Sequence, residues 1–228
     1  IVWQDMVNGG TYNAPFMTWL PALFPKFKLH TSDQIHPLFG RKNVHGREEF
    51  IRECKETVTA LKAFPCISTW VIFNEGWGQF DSKKLTALFR ELDDTRLIDS
   101  ASGWFDRRQG DFKSEHNYFA KQFVTPSDRA FVISEYGGYT CQVKGHTCSG
   151  KTYGYKICPS PEEFQAAYHK LMSEEIEPLK EQGLCGAPFP DSSARDNLLC
   201  ISSYCILEST NLTFLSGCAS FHFLAISV

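Results

Sequence analysis

The chain has 228 residues, of which 43% are hydrophobic, 21% charged and 14% aromatic, and its formal net charge is −3 at pH 7. These values are typical of a globular protein, and the length suffices for one large domain or two small ones. Because the chain is slightly acidic, its charge gives no reason to expect nucleic acid as a partner.

The first half of the chain alternates apolar runs with helical patterns. Val2-Trp3 is a short apolar run, and residues 7–45 have the Gly-, Pro- and Asn-rich composition of a long loop. One helix face is predicted by apolar residues at helical spacing, namely Phe50, Cys54, Val58 and Leu61. The apolar, β-branched segment 69–73 then predicts a strand that is buried on both faces, as in a parallel sheet.

The alternation continues through the rest of the chain. Asp81 or Ser82 is the predicted cap of a helix whose inner face consists of Leu85, Leu88, Phe89 and Leu92. Short strands are predicted at 97–99, 115–119 and 130–133. Ser160-Pro161-Glu162-Glu163 is a strong helix start, Gly183 ends that helix, and 184–187 begins a further strand.

This pattern predicts an α/β fold with a parallel sheet. Polar residues follow the apolar runs, which is where both a (β/α)8 TIM barrel and a doubly wound sheet bind ligands. The sequence has no GxGxxG after a strand and no GxxxxGK[ST]. We therefore expect the barrel rather than the doubly wound sheet.

Two glutamates occupy matching positions after apolar runs. Glu75 follows Trp70-Val71-Ile72-Phe73-Asn74, and Glu135 follows Phe131-Val132-Ile133-Ser134. A carboxylate in such a place is costly unless it faces a cleft or a partner. The alternative is that each glutamate pairs with a basic residue of the fold. Two that share one context instead suggest a carboxylate pair, the arrangement with which retaining glycosidases work.

The sequence segments around the two glutamates resemble those of glycoside hydrolase family 2, the β-galactosidase and β-glucuronidase family. Residues 70–80 resemble its acid/base segment, and residues 133–138 resemble its nucleophile segment. Other segments resemble its third, fifth and sixth strands in the expected order, namely residues 2–5, 97–104 and 116–118. The resemblance implies a barrel and a retaining mechanism on β-linked sugars such as galactosides or glucuronides, with no cofactor.

The same resemblance implies roles for individual residues. Glu75 would be the acid/base, and Glu135 the nucleophile. Asn74 would bind the hydroxyl next to the reacting carbon, and Tyr118 would orient Glu135. The remaining expected substrate contacts are Asp5, Trp77, Trp104, His116 and Asn117, although core packing is the rival explanation for the tryptophans.

The resemblance extends over residues 1–187, which we expect to be a partial catalytic barrel comprising about strands three to eight. Residues 188–228 read as a divergent tail that does not belong to the family fold. The uncharged stretch 209–228 is too polar to predict a membrane span, so we expect no membrane association. The pattern Asn211-Leu212-Thr213 is a weak indication of glycosylation.

Two other functions stay open. A truncated barrel could be a non-catalytic or carbohydrate-binding fragment, since missing strands leave edges exposed. Separately, Cys141, His146, Cys148 and Cys158 could bind zinc, although structural zinc sites have tighter ligand pairs, so we expect no metal. The sequence leaves sugar identity, linkage, compartment and oligomeric state open.

Overall fold

The computed structural model describes residues 1–7, 20–23, 32–142 and 154–188. In chain order the elements are β1 (Val2–Asp5), α1 (Leu20–Leu23), α2 (Val44–Leu61), β2 (Ile67–Val71), α3 (Ser82–Leu92), β3 (Leu97–Asp99), β4 (Phe112–Asn117), β5 (Ala130–Tyr136), β6 (Tyr139–Cys141), β7 (Lys156–Cys158), α4 (Pro161–Lys170), a π-helical turn (Leu171–Ile176), a 3₁₀ helix (Glu177–Gln182) and β8 (Leu184–Gly186).

The first sheet is parallel, with the strand order β1-β2-β3. Its core forms where α2 and α3 pack against it, because the apolar residues of α2 recur at helical spacing and bury one face, namely Phe50, Cys54 and Val58. Trp70 and Phe73 are fully buried beneath them. The predicted helix face and the doubly buried strand are therefore both confirmed, although β2 ends two residues earlier than the apolar run does.

The second sheet is also parallel, with the order β4-β5-β8. Its apolar face packs on the helical segment that follows α4, and the shared core includes Phe131, Ile133, Leu171, Ile176 and Leu184. A small third sheet pairs β6 with β7 in parallel. Every ladder in the described part of the chain is thus parallel, as the alternation of strands and helices predicted.

The predicted barrel, however, is wrong. The described strands form separate sheets of three, three and two strands, and no ladder joins them into a closed or partly closed cylinder. The physical reason lies at β3, which has only three residues and pairs on one side with β2. Towards β4 it makes a single antiparallel bridge, Asp99↔Gly110, instead of a parallel ladder. Periodicity indicates strands and their burial, but it carries no information about the closure of a sheet.

Helix ends follow the local sequence in one place and distant residues in another. The Ser160 side chain accepts a hydrogen bond from the Glu163 backbone, and Gly183 ends the helical segment at φ 98°, as predicted. Asp81 precedes α3, but its side chain makes no capping bond. The carboxylate of Asp33 accepts bonds from the backbone and the hydroxyl of Ser82 instead.

Two further predictions are adjusted or remain untested. The strand expected at 115–119 begins earlier and is β4, Phe112–Asn117. No helix among the described residues has the length and hydropathy that a membrane crossing requires. The proposed tail beyond Pro188, including Asn211, lies outside the described residues.

Candidate active site

Glu75 lies just beyond β2 in a strained turn. Its backbone N–H donates to the carbonyl of Ser102 at 2.9 Å, and Asn74 forms a β-bridge with the same residue. The φ angle of Glu75 is 53°, in the left-handed region that side chains other than glycine rarely adopt. Such a conformation costs on the order of 1–3 kcal/mol and is typical of functional positions. The turn therefore fixes the direction of the Glu75 side chain.

Glu135 lies on β5, in the second sheet. The hydroxyl of Tyr118, which follows β4, donates a hydrogen bond to Glu135 Oε2. His116 Nδ1 lies 3.6 Å from the same oxygen. A hydroxyl donor stabilises the ionised form of a carboxylate, so the bond from Tyr118 opposes the effect that burial has on Glu135.

The two sheets bring the carboxylates together around His116. Its Nδ1 lies 3.0 Å from Glu75 Oε1, and the three groups offer atoms that all lie within 4.8 Å of one another. Retaining glycosidases hold their two carboxyl groups about 5–5.5 Å apart, whereas inverting enzymes separate them by about 6.5–9.5 Å. One oxygen of each carboxyl group lies within 4.8 Å of the other, which is closer than the spacing of inverting enzymes, and the two glutamates converge as expected.

The site concentrates negative charge away from water. Burial, then the neighbouring charge of Glu75 and that of Asp5, raises the pKa of Glu135 well above its ordinary range. The rise reflects the cost of a second negative charge beside Glu75 in a site with little access to water.

Asp5 ends β1, and its charge interacts with those of Glu75 and Glu135. The residue as a whole is exposed, but the protein around its carboxyl limits contact with water and raises the pKa of that group to about 6. The charge of Glu75 adds to the rise. This electrostatic interaction brings Asp5, an expected substrate contact, close to the two glutamates.

A buried hydrogen-bond network contacts the Nε2 side of the His116 ring, opposite the Nδ1 atom that faces the glutamates. Its Nε2 lies 3.0 Å from the Ser102 hydroxyl, which is also 3.0 Å from the hydroxyl of Ser134, and Ser114 completes the group. His116 is fully buried and so orients the carboxylates rather than lining an open surface. The three serines come from different strands and loops, and the sequence patterns gave no sign of them as a group.

Asp99 lies against this network. It is 1% exposed, and burial raises the pKa of its carboxyl to about 7, although hydrogen bonds from Ser114 and Ser102 oppose the rise. Its Oδ2 atom has no hydrogen-bond partner among the described residues. Sequence reasoning treated residues 97–99 as a strand and missed this second titratable group behind the site.

Three other expected substrate contacts, Asn74, Trp77 and Trp104, differ in their surroundings. The buried Asn74 Oδ1 and Trp104 Nε1 have no hydrogen-bond partner within the described ranges, and buried polar atoms of this kind call for one. Trp104 packs edge-on at 6.0 Å from the His116 ring, and Trp77 is half-buried in the turn after Glu75. Substrate hydroxyls are suitable partners for the amide and indole groups.

Asn117 has a different environment. Its side-chain oxygen accepts a bond from the Ala120 backbone and its amide donates to the carbonyl of Lys121, so the side chain is used within its own loop. Asn117 is therefore occupied within its loop and is not part of the proposed site.

One group among the described residues could hold a metal ion, and it consists of Glu75, His116 and Glu135. A divalent cation there would be bound by two carboxylates and an imidazole nitrogen, a ligand set that suits zinc or manganese. The predicted cysteine cluster stays untested, because His146 and Cys148 lie outside the described residues. Cys141 and Cys158 are buried free thiols on the paired strands β6 and β7.

Comparison with known proteins adds no assignment. No protein-family model matches the chain, and no curated protein matches its sequence.

Proposed function

We propose that the chain is a retaining glycoside hydrolase that acts on β-linked sugars. The observation that carries the proposal is the placement of Glu75 and Glu135 around His116, with all three groups within 4.8 Å. The hydrogen bond from Tyr118 to Glu135 supports the assignment of Glu135 as the nucleophile. The resemblance of the surrounding segments to glycoside hydrolase family 2 points to the same reaction and to galactosides or glucuronides as substrates.

The proposed reaction has two displacements. In the first, Glu135 attacks the anomeric carbon, the bond to the leaving oxygen breaks, and Glu75 gives its proton to that oxygen. In the second, Glu75 removes a proton from water, and the water oxygen displaces Glu135 from the sugar. Asn74 is placed to bind the adjacent hydroxyl, and His116 orients both carboxylates throughout.

The test is a covalent trap. The purified chain is incubated with a panel of 2,4-dinitrophenyl 2-deoxy-2-fluoro-β-glycosides, in which fluorine slows both steps and the good leaving group lets the first proceed. We expect a glycosyl adduct by intact mass, which peptide mapping places on Glu135. The sugar that reacts then identifies the substrate class.

Glu135→Gln and Glu75→Gln are the matched controls. The first variant should form no adduct, whereas the second should still form one, because dinitrophenolate leaves without acid assistance. An adduct on Glu75 would reverse the two roles. A folded wild-type protein that forms no adduct with any sugar would refute the enzyme, and the alternative of a non-catalytic, carbohydrate-binding fragment would then stand.

A further inference from the structure

Three aromatic rings form a continuous surface from the carboxylate pair to solvent. We call it the aromatic corner, and it consists of Tyr118, Phe119 and Tyr155. The centroids of Tyr118 and Tyr155 are 4.4 Å apart with the planes at 37°, and those of Phe119 and Tyr155 are 5.0 Å apart at 79°. The rings of Phe119 and Tyr155 are nearly perpendicular, so they form two adjoining sides of a concave surface.

The outer rings of the corner are open to water. Phe119 is 50% exposed and Tyr155 is 47% exposed, so apolar ring surface is left uncovered beside the site. Exposed apolar groups that adjoin one another often mark a binding surface. Here the surface is continuous with a polar site, because Tyr118 packs on Tyr155 and also donates its hydroxyl to Glu135.

The backbone holds Tyr155 in this position. Its N–H donates to the carbonyl of Gly138 at 2.9 Å, and Gly138 follows the strand that carries Glu135. Gly138 has a φ of 63°, and any Cβ there would overlap the ring of Tyr155. The absence of a side chain at Gly138 therefore lets the Tyr155 ring lie against the site.

We infer that the aromatic corner binds the apolar C–H face of the sugar ring that is transferred to Glu135. The inference rests on the proposed function. Aromatic faces carry partial negative charge, so they attract the slightly positive C–H groups of a pyranose ring. The corner begins at the nucleophile, where the transferred ring must lie, whereas the leaving group lies on the side of Glu75.

The experiment compares Phe119→Ala and Tyr155→Ala with the wild type on two substrates that share one sugar. One is the aryl β-glycoside, and the other is the glycosyl fluoride, which has no ring in its leaving group. We expect KM to rise about fivefold for both substrates, with kcat changed less than twofold or so, because stacking of this kind is weak and precedes the chemistry. Phe64→Ala is the matched control, since Phe64 is 53% exposed and precedes β2, away from the site.

Three outcomes would overturn the inference. The first is an unchanged KM in both variants, and the second is an equal rise of KM in Phe64→Ala. The third is a rise of KM that is confined to the aryl glycoside, because this would place the leaving group on the aromatic corner. The covalent trap separates this failure from failure of the proposed function: a wild-type adduct on Glu135 with an unchanged KM in the variants overturns the aromatic corner alone. Phe119→Ala keeps the test available if Tyr155→Ala does not fold.

Discussion

Replacing Asp99 with asparagine should change how the stability of the protein depends on pH. Asp99 is 1% exposed, and burial raises the pKa of its carboxyl from 3.8 to about 7. A raised pKa in the folded state means that folding favours the protonated acid. The favourable contribution is fully present below pH 3.8 and is lost as the pH rises through about 7.

The size of the effect follows from the two pKa values. Each pH unit between them is worth about 1.4 kcal/mol, so ionising Asp99 lowers the free energy of unfolding by about 4 kcal/mol at pH 8. Asparagine cannot ionise, but its amide puts a donor near the unpartnered Oδ2 position, at a cost of about 1–3 kcal/mol. We therefore expect Asp99→Asn to be less stable than the wild type in acid and equally or more stable above neutral pH.

Urea unfolding followed by circular dichroism, at intervals between about pH 4 and about pH 8, measures this difference. The free energy of Asp99→Asn minus that of the wild type should increase steadily over the interval. Asp93→Asn is the control, and its difference from the wild type should stay constant over this interval because Asp93 titrates below it. Burial alone would raise the pKa of Asp93, but bonds from Thr95 and Trp70 and the charge of Arg96 outweigh it and lower that pKa. The Asp93 carboxylate thus stabilises the fold above its unfolded pKa, and this stability is lost as the pH falls through its folded pKa. A pH-independent difference for Asp99→Asn would refute the reasoning.

Three further substitutions test the parts of the site. In His116→Gln, kcat/KM should fall about tenfold more for glycosides with poor leaving groups than for dinitrophenyl glycosides, because the orientation of the proton donor matters only when the leaving oxygen needs a proton. Equal losses on both would show that His116 does not position Glu75. Tyr118→Phe removes a donor from Glu135, so the acidic limb of the pH–rate profile should move up by about one pH unit, and an unmoved limb would count against the bond. Gly103→Ala should lower the free energy of unfolding by about 2–3 kcal/mol, since the φ of Gly103 is 84° and a Cβ there would overlap the His116 ring; wild-type stability in urea would show that this close approach is wrong.

Sequence patterns predicted the site best where local order decides the structure. Each apolar run that precedes Glu75 or Glu135 is an unbroken stretch of sequence, so the strand and the glutamate that follows the run could both be recognised. The helix start at Ser160 and its end at Gly183 were likewise predictable, because caps depend on a few neighbouring residues.

What could not be predicted depends on contacts between distant segments. Asp33 caps α3 from 49 residues earlier in the chain. Tyr155 contacts Tyr118 from 37 positions later in the chain, and neither residue belongs to a sequence pattern that predicts the other. The raised pKa of Asp99 arises from complete burial, which a strand prediction alone does not specify.

The barrel prediction failed for the same reason. The alternation of strands and helices is shared by closed and open arrangements, and the outcome depends on whether β3 forms a ladder with β4. In the described structure it forms only the bridge between Asp99 and Gly110.

The two proposed catalytic carboxylates are carried by different sheets, and this has a mechanical consequence. Glu75 follows β2 in one sheet and Glu135 lies on β5 in the other, while side chains such as Ser102 and Ser134 connect the two across the gap. A sugar bonded to Glu135 and hydrogen-bonded to Asn74 would link the two sheets across that junction. Occupancy of the site should then resist separation of the sheets, and backbone amides at the junction should exchange with solvent more slowly in the glycosyl-enzyme than in the free protein.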